Sequence, residues 1–241
     1  MGNPETVNRR AFFKTVGVPA GVLLTGSVLA GPMAWAAALT KAQRDRMTPD
    51  EIIQLMKKGN ERFRTGQMAA QNYLAQQRAS AKGQYPATAL LSCIDSRAPA
   101  EMIMDLGIGD VFNARVAGNI ANDDILGSME FACKVAGAKV VMVMGHTACG
   151  AIKGAIDKAE LGNLTGLLAK IRPAVDATQY AGERSATNYA FVDTVARKNV
   201  ELTIADIRRR SPVLAELETS RAVKIVGAMY NLESGFVEFF G

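Results

Sequence analysis

Histidine is almost missing from this sequence: of 241 residues, only His146 carries an imidazole. Any chemistry that needs an imidazole must use that one side chain. Cysteine is nearly as scarce, with Cys93, Cys133 and Cys149; an odd, small number is a poor disulfide framework. Aromatic residues make up 6%, and the single tryptophan is Trp35. No long Lys/Arg tract interleaves with aromatics, and the net charge of +5 is a mild excess. Nothing marks a nucleic-acid groove, so no nucleic-acid partner is expected. The densest basic run, Arg208-Arg209-Arg210, stands before Ser211-Pro212, where a helix is expected to end and cations suit its dipole. There is no internal repeat, low-complexity tract or interdomain linker.

What is present begins with an export-type segment. Arg9-Arg10 precede Phe12, Phe13 and Lys14, a mildly apolar Gly/Ala stretch follows, and Ala34-Trp35-Ala36 is a small-x-small cleavage pattern. These are the parts of a secretory signal. The paired arginines resemble a twin-arginine (Tat) signal, which implies the Tat export machinery as a partner and a periplasmic or otherwise exported destination. The alternative is an uncleaved membrane anchor over residues 15–38, which the Gly, Pro and weak hydrophobicity oppose. Residues 1–36 are therefore expected to be a signal, and 37–241 a single catalytic domain with an N-terminal helical arm at about 48–81. Without Arg9, Arg10, Lys14 and Glu5 the remainder carries 25 basic and 22 acidic residues, a balance that identifies no partner.

With 49% hydrophobic residues, the remainder can bury a sizeable core. Thr48, Pro49 and Glu51 open a helix whose Ile52, Ile53, Leu55, Met56 and Phe63 recur at helical spacing. A polar helix is expected over 68–81. Strands are expected at 87–95, 110–118, 138–146 and 222–230, and 236–240 should form a hairpin strand after the turn "NLESG". Helices are expected at 100–107 (closed by Gly107), 122–137, 148–159, 161–180 (broken near Pro173) and 186–210. Alternating strands and helices, with strands apolar on both faces, predict an α/β fold. Its core is a parallel β-sheet of four strands plus a C-terminal antiparallel strand, flanked by helices. Sites in such sheets lie at the carboxyl ends of strands, near a switch point.

That rule picks out the chemistry. Cys93 closes the first strand in "LLSCIDSR"; His146 closes the third, and Cys149 opens the next helix in "GHTACGA". Cys, His and Cys are a zinc-favouring set of three protein ligands with one open position, the arrangement of catalytic sites. Cys133, mid-helix in "EFACKVAG", is read as core. Gly145 and Gly150 suit a tight strand-to-helix passage, and Cys149 near a helix N-terminus gains thiolate stabilisation. In an extended segment Cys93, Asp95 and Arg97 would share one face: a ligand, an acceptor beside it, and a cation to hold the acceptor.

The sequence resembles the β-class carbonic anhydrases. "CIDSR" fits their C-x-D-S-R motif and "GHTACGA" their G-H-x-x-C-G motif. The likeness continues through "GDVFNARVAGN", "SMEFA" and "VGAMYNLESGFVEF", from about Ile52 to Phe240. The resemblance implies one zinc per subunit on Cys93, His146 and Cys149, and a water or hydroxide in the fourth position that attacks CO2 to give bicarbonate. Asp95 would accept a hydrogen bond from that water, and Arg97 would hold Asp95 off the metal. It also implies a substrate pocket of the plant type, with Gln84 nine residues before Cys93, then Phe112, Phe131 and Gly150. The only tryptophan, Trp35, lies in the expected signal, so the bicarbonate-inhibited Trp-Arg-Tyr arrangement is not expected. Two departures stand out: R-N-A-G-N reads Arg115-Val116-Ala117-Gly118-Asn119, and Phe131 lacks a hydroxyl. The family further implies a homodimer or higher even oligomer embraced by the N-terminal helices. Competing expectations are a COS or CS2 hydrolase on the same scaffold, and a zinc-holding module without catalysis.

Overall fold

The computed structural model describes residues 38–241. The expected signal, its cleavage pattern and all but the last residue of the alternative anchor lie outside the described residues. No described helix is long and apolar enough to cross a membrane.

The sheet has five strands: β1 (Thr88–Ser92), β2 (Val111–Arg115), β3 (Val140–His146), β4 (Lys224–Tyr230) and β5 (Val237–Phe240). Their order is β2-β1-β3-β4-β5. The first four are parallel, and β5 pairs antiparallel with β4, as expected. Side-chain alternation sends each strand's residues to two cores. Ala89, Leu91, Val141, Val143, Ile225 and Met229 face one; Leu90, Met142, Met144, Val226 and Ala228 face the other. Each fully buried aliphatic side chain contributes about 1.5–3 kcal/mol, so both faces must be covered.

The first core is covered by α5 (Asp123–Glu130), α6 (Gly150–Ile156), α7 (Gly162–Ala177), α8 (Tyr189–Arg210) and α9 (Pro212–Thr219). The second is covered by α2 (Pro49–Arg64) and α4 (Ala100–Ile103). Ahead of them stands α1 (Lys41–Arg46), and between them α3 (Tyr73–Ser80). Thr48 and Glu51 form the capping box that starts α2. The apolar stripe of α2, one of the N-terminal helices that the family resemblance implies embrace a partner, packs in the single chain on its own sheet through Ile52, Ile53 and Met56.

Several boundaries differ from expectation. Residues 68–72 are not helical, because Asp105 accepts the Ala69 amide at 3.0 Å and Asn72 caps α3 through the Ala75 amide. α4 stops at Ile103; Asp105 (φ 49°), not Gly107, takes the left-handed position after it. The helix expected over 122–137 is α5 followed by a π-helical turn at Phe131–Val135. Pro173 does not break α7, since Leu168, Ile171, Ala174 and Val175 bury around it and outweigh one lost amide bond.

Candidate metal centre

β1 leads outward to β2, whereas β3 lies on its other side. The carboxyl ends of β1 and β3 are therefore neighbours at the reversal of strand order, with Ser92 opposite Met144. Cys93 follows directly after β1 and His146 ends β3. Cys149, two residues beyond Thr147, is the N-cap residue of α6. The three ligand atoms all lie within 4.8 Å of one another, and all three residues are buried. The sulfurs of Cys93 and Cys149 are 3.9 Å apart.

The donor set fits a soft divalent cation. His146 Nδ1 faces the Thr147 carbonyl at 2.9 Å, which makes it the protonated nitrogen. His146 Nε2 is buried at the cluster without a hydrogen-bond partner, which leaves it available to a cation. The Cys149 thiol, then the His146 ring and the amides of Gly118 and Asp95, draw the Cys93 thiol below the usual thiol range. The negative Cys93 and burial push Cys149 above the usual thiol range, although the amides of Ile152 and Ala151 face its sulfur. One negative charge is thus already held between two sulfurs, and a cation would take the place of the second proton. Cys133 is buried away from this set, and burial pushes its thiol up to about 12, the behaviour of an inert core cysteine.

Asp95 and Arg97 come together differently from the expectation. β1 ends at Ser92, and residues 95–98 form a turn closed by the Ala98 amide on the Asp95 carbonyl at 3.0 Å. The pairing therefore rests on a turn and not on strand alternation. Arg97 donates its amide and Nε to Asp95 Oδ1, both at 2.9 Å, and a guanidinium N–H to Oδ2 at 2.8 Å. Arg97 holds the Asp95 carboxyl down to about 2. Asp95 Oδ2 also stands 3.8 Å from His146 Nε2.

Two contributors escaped sequence reasoning. Arg115 donates Nε to the Cys93 carbonyl at 2.9 Å and a second N–H to the Asp95 carbonyl at 2.6 Å, so one guanidinium fixes the pitch of the ligand and of its neighbour. The Gly118 amide donates to the Cys93 sulfur at 3.4 Å. Gly118 has φ 68°, and a Cβ there would lie 2.4 Å from Ile171. Both residues stand in "RVAGN"; that motif was the available signal, but not the contacts its residues make.

The glycines of the passage divide. A Cβ on Gly145 would come within 2.8 Å of Met229 and Val200, so its absence is required. A Cβ on Gly150 would meet nothing, and the left-handed residue of the passage is Ala148 (φ 53°). The other expected pocket residues lie apart. Phe112 and Phe131 meet edge to face, centroids 6.2 Å apart. They line a cavity of about 760 Å³ with Asn113, Ser128 and Met129, and none of the three metal-site residues lines it. Gln84 is exposed and lines a separate hollow with Ser80, Ile108 and Gly109.

Two thiols and an imidazole converging at the switch point of an α/β sheet, with no fourth residue in the cluster among the described residues, define a zinc site of the three-ligand kind. A sequence model described as carbonic anhydrase matches residues 88–237. Carbonic anhydrase 2 of Mycobacterium tuberculosis is 33% identical over 186 residues, covering 75% of this chain and 87% of that protein. A carbonic anhydrase of Mycolicibacterium smegmatis is also 33% identical, over 76% of this chain and 89% of its own. Among solved structures, the β-carbonic anhydrase CafA of Aspergillus fumigatus superposes with TM-score 0.60 at 27% identity, covering 68% of this chain and 79% of its own. A tetrameric β-carbonic anhydrase of Sordaria macrospora gives TM-score 0.59 at 26% identity, over 67% and 83%. The chain belongs to the carbonic anhydrase family, in its β class. Zinc is the cofactor of that class, and Cys93, His146 and Cys149 are positioned as its site.

Proposed function

We propose that the protein is an exported, zinc-dependent carbonic anhydrase that interconverts CO2 and bicarbonate with one zinc per subunit, and that it works as a homodimer or higher even oligomer. The observation that carries the catalytic part is the partnerless, buried His146 Nε2 beside two thiols, with Asp95 next to it. When bound, zinc supplies the Lewis acidity that makes a water nucleophilic near neutral pH.

The chain's own residues do the rest. The Thr147 carbonyl fixes the tautomer and tilt of His146. The Gly118 amide favours the anionic form of the Cys93 sulfur, and the amides of Ala151 and Ile152 favour it at Cys149, against the burial and the Cys93 charge that keep the Cys149 proton on until a cation replaces it. Arg97 keeps Asp95 ionised and turned toward itself, so Asp95 is available to accept a hydrogen bond from the attacking water. Phe112 and Phe131 offer an apolar wall suited to a nonpolar gas. Gln84 and Gly150 complete the pocket in this proposal, and Gln84 reaches it from a second copy, since within one chain it lines a different hollow. The half-exposed Phe131 and the exposed Val135, Tyr73 and Leu74 support such an assembly.

Export by the Tat route rests on Arg9-Arg10 and the small-x-small pattern. That route carries folded proteins, which would let zinc load before an oxidising compartment could pair Cys93 with Cys149. Changing Arg9→Lys with Arg10→Lys should leave the protein in the cytoplasm; normal appearance outside would refute this. A substrate panel of CO2, COS and CS2 tests the reaction: CO2 hydration should dominate, and hydrolysis of the sulfur compounds without CO2 turnover would replace it.

A further inference from the structure

His146 and Cys149 are separated by two residues, Thr147 and Ala148, and their spacing is set by how those two are held. Thr147 is anchored on both sides of its α-carbon. Its amide donates to the Tyr230 carbonyl at 3.0 Å, and its hydroxyl accepts from the Leu232 amide at 3.0 Å. Ala148 adopts φ 53°, a left-handed conformation that a side chain disfavours, and no glycine relieves it. Its amide donates to Asp193 Oδ1 at 2.7 Å.

Asp193 comes from α8, within the first two turns after the Asn188 cap. The residues around it, Phe191, Val192 and Val195, are fully buried. The carboxylate therefore sits on a rigid support. Asp193 also lines a cavity of about 340 Å³ with Thr147, Arg197, Asn231 and Glu238, so open space stands beside the carboxylate, and among the described residues the Ala148 amide has no other hydrogen-bond acceptor than Asp193.

We infer that Asp193 is a positioning residue of the metal centre: by gripping the Ala148 amide it keeps this disfavoured turn closed and sets the distance between His146 Nε2 and the Cys149 sulfur. It touches neither substrate nor metal. The inference rests on the zinc site proposed above. Partners that orient metal ligands typically change affinity by about tenfold to hundredfold when removed.

The test compares the whole protein with Asp193→Leu, which keeps bulk but has no acceptor, and Asp193→Asn, which keeps the acceptor oxygen. Zinc affinity is read by competition with a chromophoric chelator, and ligand geometry by the absorption bands of the cobalt-substituted protein. Asp193→Leu should lose about tenfold to hundredfold in affinity and shift the cobalt bands, while Asp193→Asn stays close to the wild type in both. Wild-type affinity and spectrum in Asp193→Leu, or equal weakening by both changes, would overturn the inference. Should Asp193→Leu not fold, hydrogen exchange at the Ala148 amide of the unaltered protein decides: strong protection is expected, and exchange as fast as an open loop overturns it. A wild type that takes up no zinc would overturn the zinc site itself, an outcome distinct from either.

Discussion

Arg97 grips Asp95 through three hydrogen bonds of 2.8–2.9 Å, while the same carboxylate stands 3.8 Å from the open nitrogen of His146. Asp95 is thus held within reach of the metal centre by a partner on its other side. Arg97→Ala removes two of the three bonds and the charge that holds the carboxyl near 2. The freed carboxylate should turn onto the metal and close the fourth position. A crystal structure of the zinc-loaded variant near neutral pH checks this; Asp95 still turned away from zinc would contradict it.

Asp110 carries the pH dependence most open to measurement. It is 3% exposed, Oδ2 accepts the Gly107 amide at 2.8 Å, and Oδ1 has no partner. Burial pushes its carboxyl up to about 6, against amide donors from Gly107 and Leu39. A raised carboxyl means the folded state holds a proton that the unfolded state has lost. The stabilisation is full below about pH 4 and fades as pH rises to about 6, by on the order of 2–3 kcal/mol. Urea unfolding across this window should show the fall in the wild type and a flatter curve in Asp110→Asn. Parallel curves would refute the assignment.

Proton release should depend on solvent. Hydration of CO2 yields one proton per turnover, and the only imidazole of the chain is buried in the metal centre. No other side chain has an ordinary pKa in the required range. The turnover number should therefore rise and saturate with added imidazole buffer, while kcat/KM stays flat. Stopped-flow measurements over a buffer series check this, and a turnover number independent of buffer would reveal an internal relay.

The sequence made the sheet and the metal cluster legible for the same reason. Buried parallel strands read as apolar runs, and the polar residues that end those runs fall at the carboxyl edge, where Cys93 and His146 meet. It hid what depends on tertiary contact. α9 was missed because Ser211-Pro212 reads as a stop, yet Ser211 ends α8 and also caps α9 through the Leu214 amide. The grip of Arg115 on two carbonyls has no local signature, since it spans 20 to 22 residues. The left-handed turn fell on Ala148, where sequence favours a glycine, because contacts from β4 and α8 hold it there.

The central claim is that Cys93, His146 and Cys149 hold a catalytic zinc. Zinc content and CO2 hydration rate, measured on the same preparations of wild type and His146→Ala, test it most directly. The account predicts about one zinc per chain with rapid hydration in the wild type, and the loss of both together in His146→Ala. Full zinc occupancy without hydration in the wild type, or stoichiometric zinc retained by His146→Ala, would contradict it.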